Sequence, residues 1–168
     1  LGPIPGYHSG VKWDFSDKET GFGLALLDSV YSGSYYLKGD GELKHNAGFE
    51  GYFTYKAIPD VTLWAGFAYD TKGNVVHSKD EIFTFDVWAS YNLTKDTTLA
   101  AEFVTKDGGV GDKGYNWLVF LSQNFDKKWS AAFRISGEKL KNGPGFTKLT
   151  VSPSYKVNDN FLVRGEVS

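Results

Sequence analysis

From Glu81 to Leu93 the chain alternates apolar and polar residues without a break. Phe83, Phe85, Val87, Ala89, Tyr91 and Leu93 share one parity, and Ile82, Thr84, Asp86, Trp88, Ser90 and Asn92 share the other. A period of two is the signature of a β-strand, because successive side chains leave opposite faces of the pleat. The run is also long. Strands of water-soluble proteins cluster near about 5–6 residues, whereas a tilted strand that crosses a bilayer needs about 9–11.

The same split recurs along the chain. Val61, Leu63, Ala65, Phe67 and Tyr69 oppose Thr62, Trp64, Gly66, Ala68 and Asp70. Tyr115, Trp117, Val119 and Leu121 oppose Asn116, Leu118, Phe120 and Ser122. No window places apolar residues at helical spacing with helix formers between them. The alternation predicts ten strands, at about 7–15, 20–30, 43–56, 61–70, 81–93, 97–106, 114–125, 128–137, 146–157 and 160–168. Tyr31–Glu42 is compatible with a long loop or with extension of its flanking strands.

Connections alternate in length. Short turns are expected near Ser16–Lys18, Ile58–Asp60, Thr94–Asp96, Asp126-Lys127 and Asn158-Asp159. Longer Gly-rich links are expected at Thr71–Asp80, Asp107–Lys113 and Gly137–Gly145. The turns near residues 95, 127 and 159 recur with a period of about 32 residues, one β-hairpin.

An apolar stripe on every strand faces either a protein core or lipid. Strand length favours lipid, and so do charges in the middle of the opposite parity, which suit a hydrated lumen. Aromatics bracket the apolar stripes. Tyr55, Tyr91, Phe125 and Tyr155 precede short turns, and Tyr69, Phe83, Tyr115 and Phe146 lie near long links. Two such girdles match the two membrane interfaces. The mean hydropathy of −0.32 does not oppose this, because half of each strand faces water. The expected fold is an all-β, antiparallel up-and-down transmembrane β-barrel. About ten strands lie in this chain, as a single barrel domain over residues 1–168 or as part of a larger barrel.

The hairpin units Phe83–Phe103, Tyr115–Ile135 and Leu149–Val167 make the chain resemble bacterial outer-membrane β-barrel porins. The opening Gly6-Tyr-His-Ser-Gly-Val-Lys-Trp-Asp-Phe15 and the stretch Gly21-Phe-Gly-Leu-Ala25 resemble the OmpL-like porin group. The resemblance implies a removed secretory signal, a bacterial outer-membrane location and passive solute diffusion. Such barrels usually close on a C-terminal aromatic. Arg164-Gly-Glu-Val-Ser168 has none, and the chain holds no Met, so it is expected to be a processed or excised piece that continues beyond Ser168.

The polar parity carries the candidate functional residues: Glu50, Asp70, Asp86, Glu102, Arg134, Lys148, Arg164 and Glu166, with Lys12, Asp14, Lys56 and Lys156 as further charges. Glu102 and Arg134 sit near mid-membrane, about 17 Å above the short turns at roughly 3.4 Å per residue and 40–45° tilt. Acids come from the earlier strands and bases from the later ones. They are expected to line opposite lumen walls and to orient polar solutes in a transverse field. The alternative is that they pair into a structural plug or a cross-strand ladder.

Composition excludes other chemistry. There is no Cys, hence no disulfide, thiol nucleophile or thiolate metal site. The net charge of −2 argues against a nucleic-acid partner. His8, His45 and His77 lack metal-ligand spacing, and no nucleophile elbow occurs. Asp28-Ser29 remains the one weak catalytic candidate. Gly109, Gly111 and Gly114 fit a dinucleotide pattern but join two strands and open no helix. No cofactor is expected. The expected partners are outer-membrane lipid and small hydrophilic solutes, and a homo-oligomer is compatible with the pattern. Two other readings are a narrow closed outer-membrane barrel acting as a loop-based enzyme or adhesin, and a soluble barrel with its aromatic face inward.

Overall fold

The computed structural model describes residues 10–27, 30, 47–71, 81–107 and 113–168. His8, Asp28-Ser29, Tyr31–Glu42, His45, residues 72–80 with His77 among them, and Gly109–Asp112 lie outside the described residues.

Ten strands form one sheet: β1 (Gly10–Ser16), β2 (Thr20–Leu27), β3 (Gly48–Tyr55), β4 (Val61–Asp70), β5 (Ile82–Thr94), β6 (Thr97–Asp107), β7 (Gly114–Asn124), β8 (Trp129–Leu140), β9 (Gly145–Asn158) and β10 (Phe161–Arg164). Each pairs antiparallel with the next, in chain order. The sheet is open: β1 and β10 are its two edges.

The expected bounds of β4 coincide with the observed ones, and most others agree within a few residues. Two differ more. β8 runs on to Leu140, so the link to β9 shrinks to residues 141–144. Gly137 reads as a link residue, yet it pairs with Trp117, whose indole takes the space a Cβ there would need. β10 stops at Arg164, and beyond it the chain keeps a single bridge, Val151 with Val167.

The short turns share one device. At β7–β8, Asp126 Oδ1 accepts the backbone N–H groups of Lys128 (2.7 Å) and Trp129 (2.8 Å). Asp17 does the same for Glu19 and Thr20, and Asn158 for Asn160. Thr94 accepts from the Asp96 N–H. These side chains satisfy turn donors that no ladder reaches. The β3–β4 turn instead uses Asp60 at φ 63°, a left-handed conformation that Asp tolerates. The turns are also stitched to the next hairpin: Asn92 N donates to Asp60 O (2.9 Å), Asn124 N to Asp96 O (2.8 Å) and Lys156 N to Lys128 O (2.8 Å).

The two donors hold the Asp126 carboxyl below the ordinary aspartate range. A depressed pKa contributes stability above the unfolded value, and the contribution fades as pH falls through the folded one. An NMR titration of Asp126 in detergent should therefore give a midpoint below that of an unstructured aspartate. A normal or raised midpoint would contradict the turn geometry.

Among the described residues the sheet has no second layer to pack on. Buried apolar residues among those described are few and mostly small: Ala25, Leu27, Val30, Ile82 and Ala131. Large apolar side chains at mid-strand on the other face are evenly exposed, with Leu63 39%, Phe67 38%, Phe103 40% and Val119 39%. A water-soluble sheet would bury such a continuous stripe. A membrane-spanning sheet turns it to lipid.

Candidate functional site

The register sorts the faces. The pairs Glu50–Ala68, Asp86–Gly66, Glu102–Trp88 and Arg134–Phe120 put one parity of every strand on a common side. On that side the sheet encloses a hollow of about 880 Å³, with lining residues from each of β1 to β9. Its charged residues are Lys12, Glu50, Asp86, Glu102, Arg134, Glu138 and Lys148. A second, smaller hollow of about 250 Å³ is bounded by β7–β9, Arg164 and Glu166. Arg134 borders both.

The acidic side comes from β3, β5 and β6. Asp86 and Glu102 are diagonal neighbours, since Asp86 pairs with Val104 and Glu102 with Trp88. Asp86 Oδ1 is buried and meets no donor among the described residues. Aromatic rings pave the wall beside them. Trp64 lies over Gly66, where a Cβ would collide with its indole, and Tyr52 lies over Gly23. Tyr52 OH donates to Asp14 Oδ1 (2.8 Å), Lys12 Nζ stands 3.1 Å from the same oxygen, and the ammonium lies 5.3 Å from the Tyr52 ring centre.

The basic side comes from β8, β9 and β10. Arg134 Nη2 donates to Thr150 Oγ1 (3.4 Å) and stands 4.0 Å from Glu166 Oε1. Arg164 Nε donates to Ser154 Oγ (3.0 Å). Glu166 is thus an acid on the basic side, which the simple split of acids early and bases late does not describe. Lys156 lies near a short turn and pairs with Asp159 (2.7 Å).

Seven of the eight candidates border one hollow or the other. Asp70 has the same parity but borders neither. It is 2% exposed and accepts the Val30 N–H (2.7 Å). Val30 is tucked against Ala25, Leu27 and Ala68 on the same face, so the carboxylate there holds backbone. Phe146 also departs from expectation. It pairs with Glu138 and borders the large hollow, where a girdle position was expected. Two other girdle candidates each meet a second ring at a tilt: Tyr155 meets Trp129 (4.6 Å) and Tyr115 meets Phe103 (5.6 Å). Sequence reasoning passed over Glu138, because it fell in a supposed link, although the alternation Arg134, Ser136, Glu138 continues through it. Tyr52 is a further residue that the sequence alone does not single out, and its hydroxyl is a partner of Asp14.

Among the described residues no group of three His, Asp or Glu side chains is arranged to hold a metal ion. The arrangement offers fixed charges, hydroxyls and rings around a hollow.

Residues 3–168 match the family model described as "Putative beta-barrel porin-2, OmpL-like". The chain belongs to this family. Members are outer-membrane β-barrel proteins, which agrees with the lipid-facing stripe. No curated protein matches the sequence. Among solved structures, a multiply substituted Rh. blastica porin superposes with a TM-score of 0.63 at 15% identity, over 94% of this chain and 48% of that one. The KdgM porin superposes with a TM-score of 0.50 at 16% identity, over 95% of this chain and 84% of that one. At such identities the likeness is one of fold. The chain spans about half the length of the Rh. blastica porin.

Proposed function

We propose that this chain forms the wall of an outer-membrane diffusion pore for small hydrophilic solutes and ions. In this reading Glu50, Asp86, Glu102, Arg134 and Lys148 line the wide part of the lumen, Arg164 and Glu166 line a narrower part, and Asp70 anchors backbone at the end of β4. The observation that carries the reading is the gathering of charged side chains on one face of a single sheet whose other face is apolar. No turnover chemistry is involved: solutes pass down their gradients, and the lumen charges bias which ions and dipoles enter.

A spanning sheet must have its edge donors and acceptors paired. In a bilayer the edges of β1 and β10 are therefore paired, with each other or with further strands. A wide water channel needs about 16–18 strands in all. Acids on β3, β5 and β6 face bases on β8 and β9, which gives the lumen a transverse field.

Planar-bilayer recording on the full-length protein is the test. Discrete open-channel currents in potassium chloride are expected, together with swelling of liposomes in small neutral sugars. Folded, inserted protein that carries no current and passes no sugar would leave the narrow, occluded barrel as the better reading.

A further inference from the structure

The smaller hollow differs in chemistry from the wide one. Thr150, Ser152 and Ser154 on β9 are 3%, 9% and 4% exposed, so three hydroxyls are buried side by side. Two arginines border them. Arg164 is held by Ser154, and Arg134 reaches Thr150 with one Nη while its Nε is buried and finds no acceptor among the described residues. Buried polar groups are ordinarily satisfied, so a donor left over in a polar cavity marks a place for an acceptor.

One acceptor is already there, loosely. The Glu166 carboxylate accepts from Ser152 Oγ (3.3 Å) and Ser168 Oγ (3.4 Å) and lies 4.0 Å from Arg134 Nη2. Charge-assisted contacts between guanidinium and carboxylate close to about 2.7–2.9 Å when they are made well. Glu166 therefore lies in the cradle without a close ion pair to Arg134. The two arginines outweigh the one glutamate, so the cradle keeps a net positive charge.

We propose that this hollow is a binding site for the carboxylate group of a permeating solute, and that Glu166 is its built-in competitor. The proposal rests on the pore reading and names the solute class that reading leaves open. Guanidinium forks suit planar carboxylates, and the serine and threonine hydroxyls supply the remaining donors. An incoming carboxylate displaces Glu166, takes the free donor of Arg134 and shares Arg164 with Ser154. It leaves when Glu166 returns. Such competition keeps residence short, as passage requires.

The test is block of single-channel current by succinate, with inorganic phosphate and glycerol as comparison probes. Succinate is expected to block in a concentration-dependent way and glycerol not at all. Arg164→Gln should weaken the block roughly tenfold or more, and Glu166→Gln should strengthen it by a similar factor. Equal block constants in wild type and both variants would overturn the proposal. Phosphate blocking as tightly as succinate would overturn the carboxylate assignment. If the wild type carries no current, the pore reading fails by itself. Calorimetric titration of succinate into the detergent-solubilised protein and its Glu166→Gln variant then reads the site directly. Tighter binding to the variant supports the site, and no heat in either overturns it.

Discussion

Val119→Arg is expected to destabilise the folded protein in a bilayer by roughly 2–4 kcal/mol, whereas Leu118→Arg costs much less. The two residues are neighbours in the middle of β7 at nearly the same depth. Val119 belongs to the exposed apolar face, and Leu118 borders the large hollow. At Val119 the guanidinium sits in hydrocarbon, with only snorkelling or local water entry to relieve it. At Leu118 it meets water and the Glu102 carboxylate, since Glu102 pairs with Leu118 across β6 and β7. Urea titration of folding into liposomes measures both. Equal costs at the two positions would refute the assignment of faces, and with it the transmembrane reading of the sheet.

Arg134→Glu carries the largest expected functional effect. Arg134 borders both hollows, so in the proposed pore its charge acts on ions in either. A unit charge roughly 6 Å from an ion, at an effective dielectric of about 40, contributes about 1.4 kcal/mol. That energy corresponds to a tenfold preference. Reversing the charge removes that attraction for anions and creates it for cations, so the anion-to-cation permeability ratio should fall by at least about tenfold near 0.1 M salt, where the Debye length is about 10 Å. At 1 M salt the difference should shrink. Reversal potentials across a salt gradient report the ratio, and an unchanged value would remove Arg134 from the ion path.

Strand periodicity was legible wherever one face is apolar and the other polar. β4 could be bounded from residues 61–70 alone, because Pro59-Asp60 closes one end and Asp70 the other. The face assignments followed from the same parity, which is why seven of the eight candidate residues border a hollow. Legibility failed where a residue's role depends on neighbours far along the chain. Gly137 looks like a link residue until Trp117 is laid over it. Asp70 looks like any inward acid until Val30, 40 residues earlier, presents its N–H. Phe146 matches an interface aromatic in composition, and only its pairing with Glu138 shows which way it faces. The hydroxyl row on β9, Thr150, Ser152 and Ser154, looks in sequence like the polar half of any strand. Its meaning comes from Arg134 and Arg164 arriving from the strands on either side.

Each strand pairs only with its predecessor and successor, and the turns near residues 95, 127 and 159 recur about every 32 residues. The wall is therefore modular. Duplicating or deleting one hairpin leaves the alternation of every other strand intact and adds or removes two staves. Barrel diameter grows nearly linearly with strand number. Relatives built on this pattern can change girth in fixed increments by unequal recombination at the turns, and the inherited charges then sit farther apart across the opening.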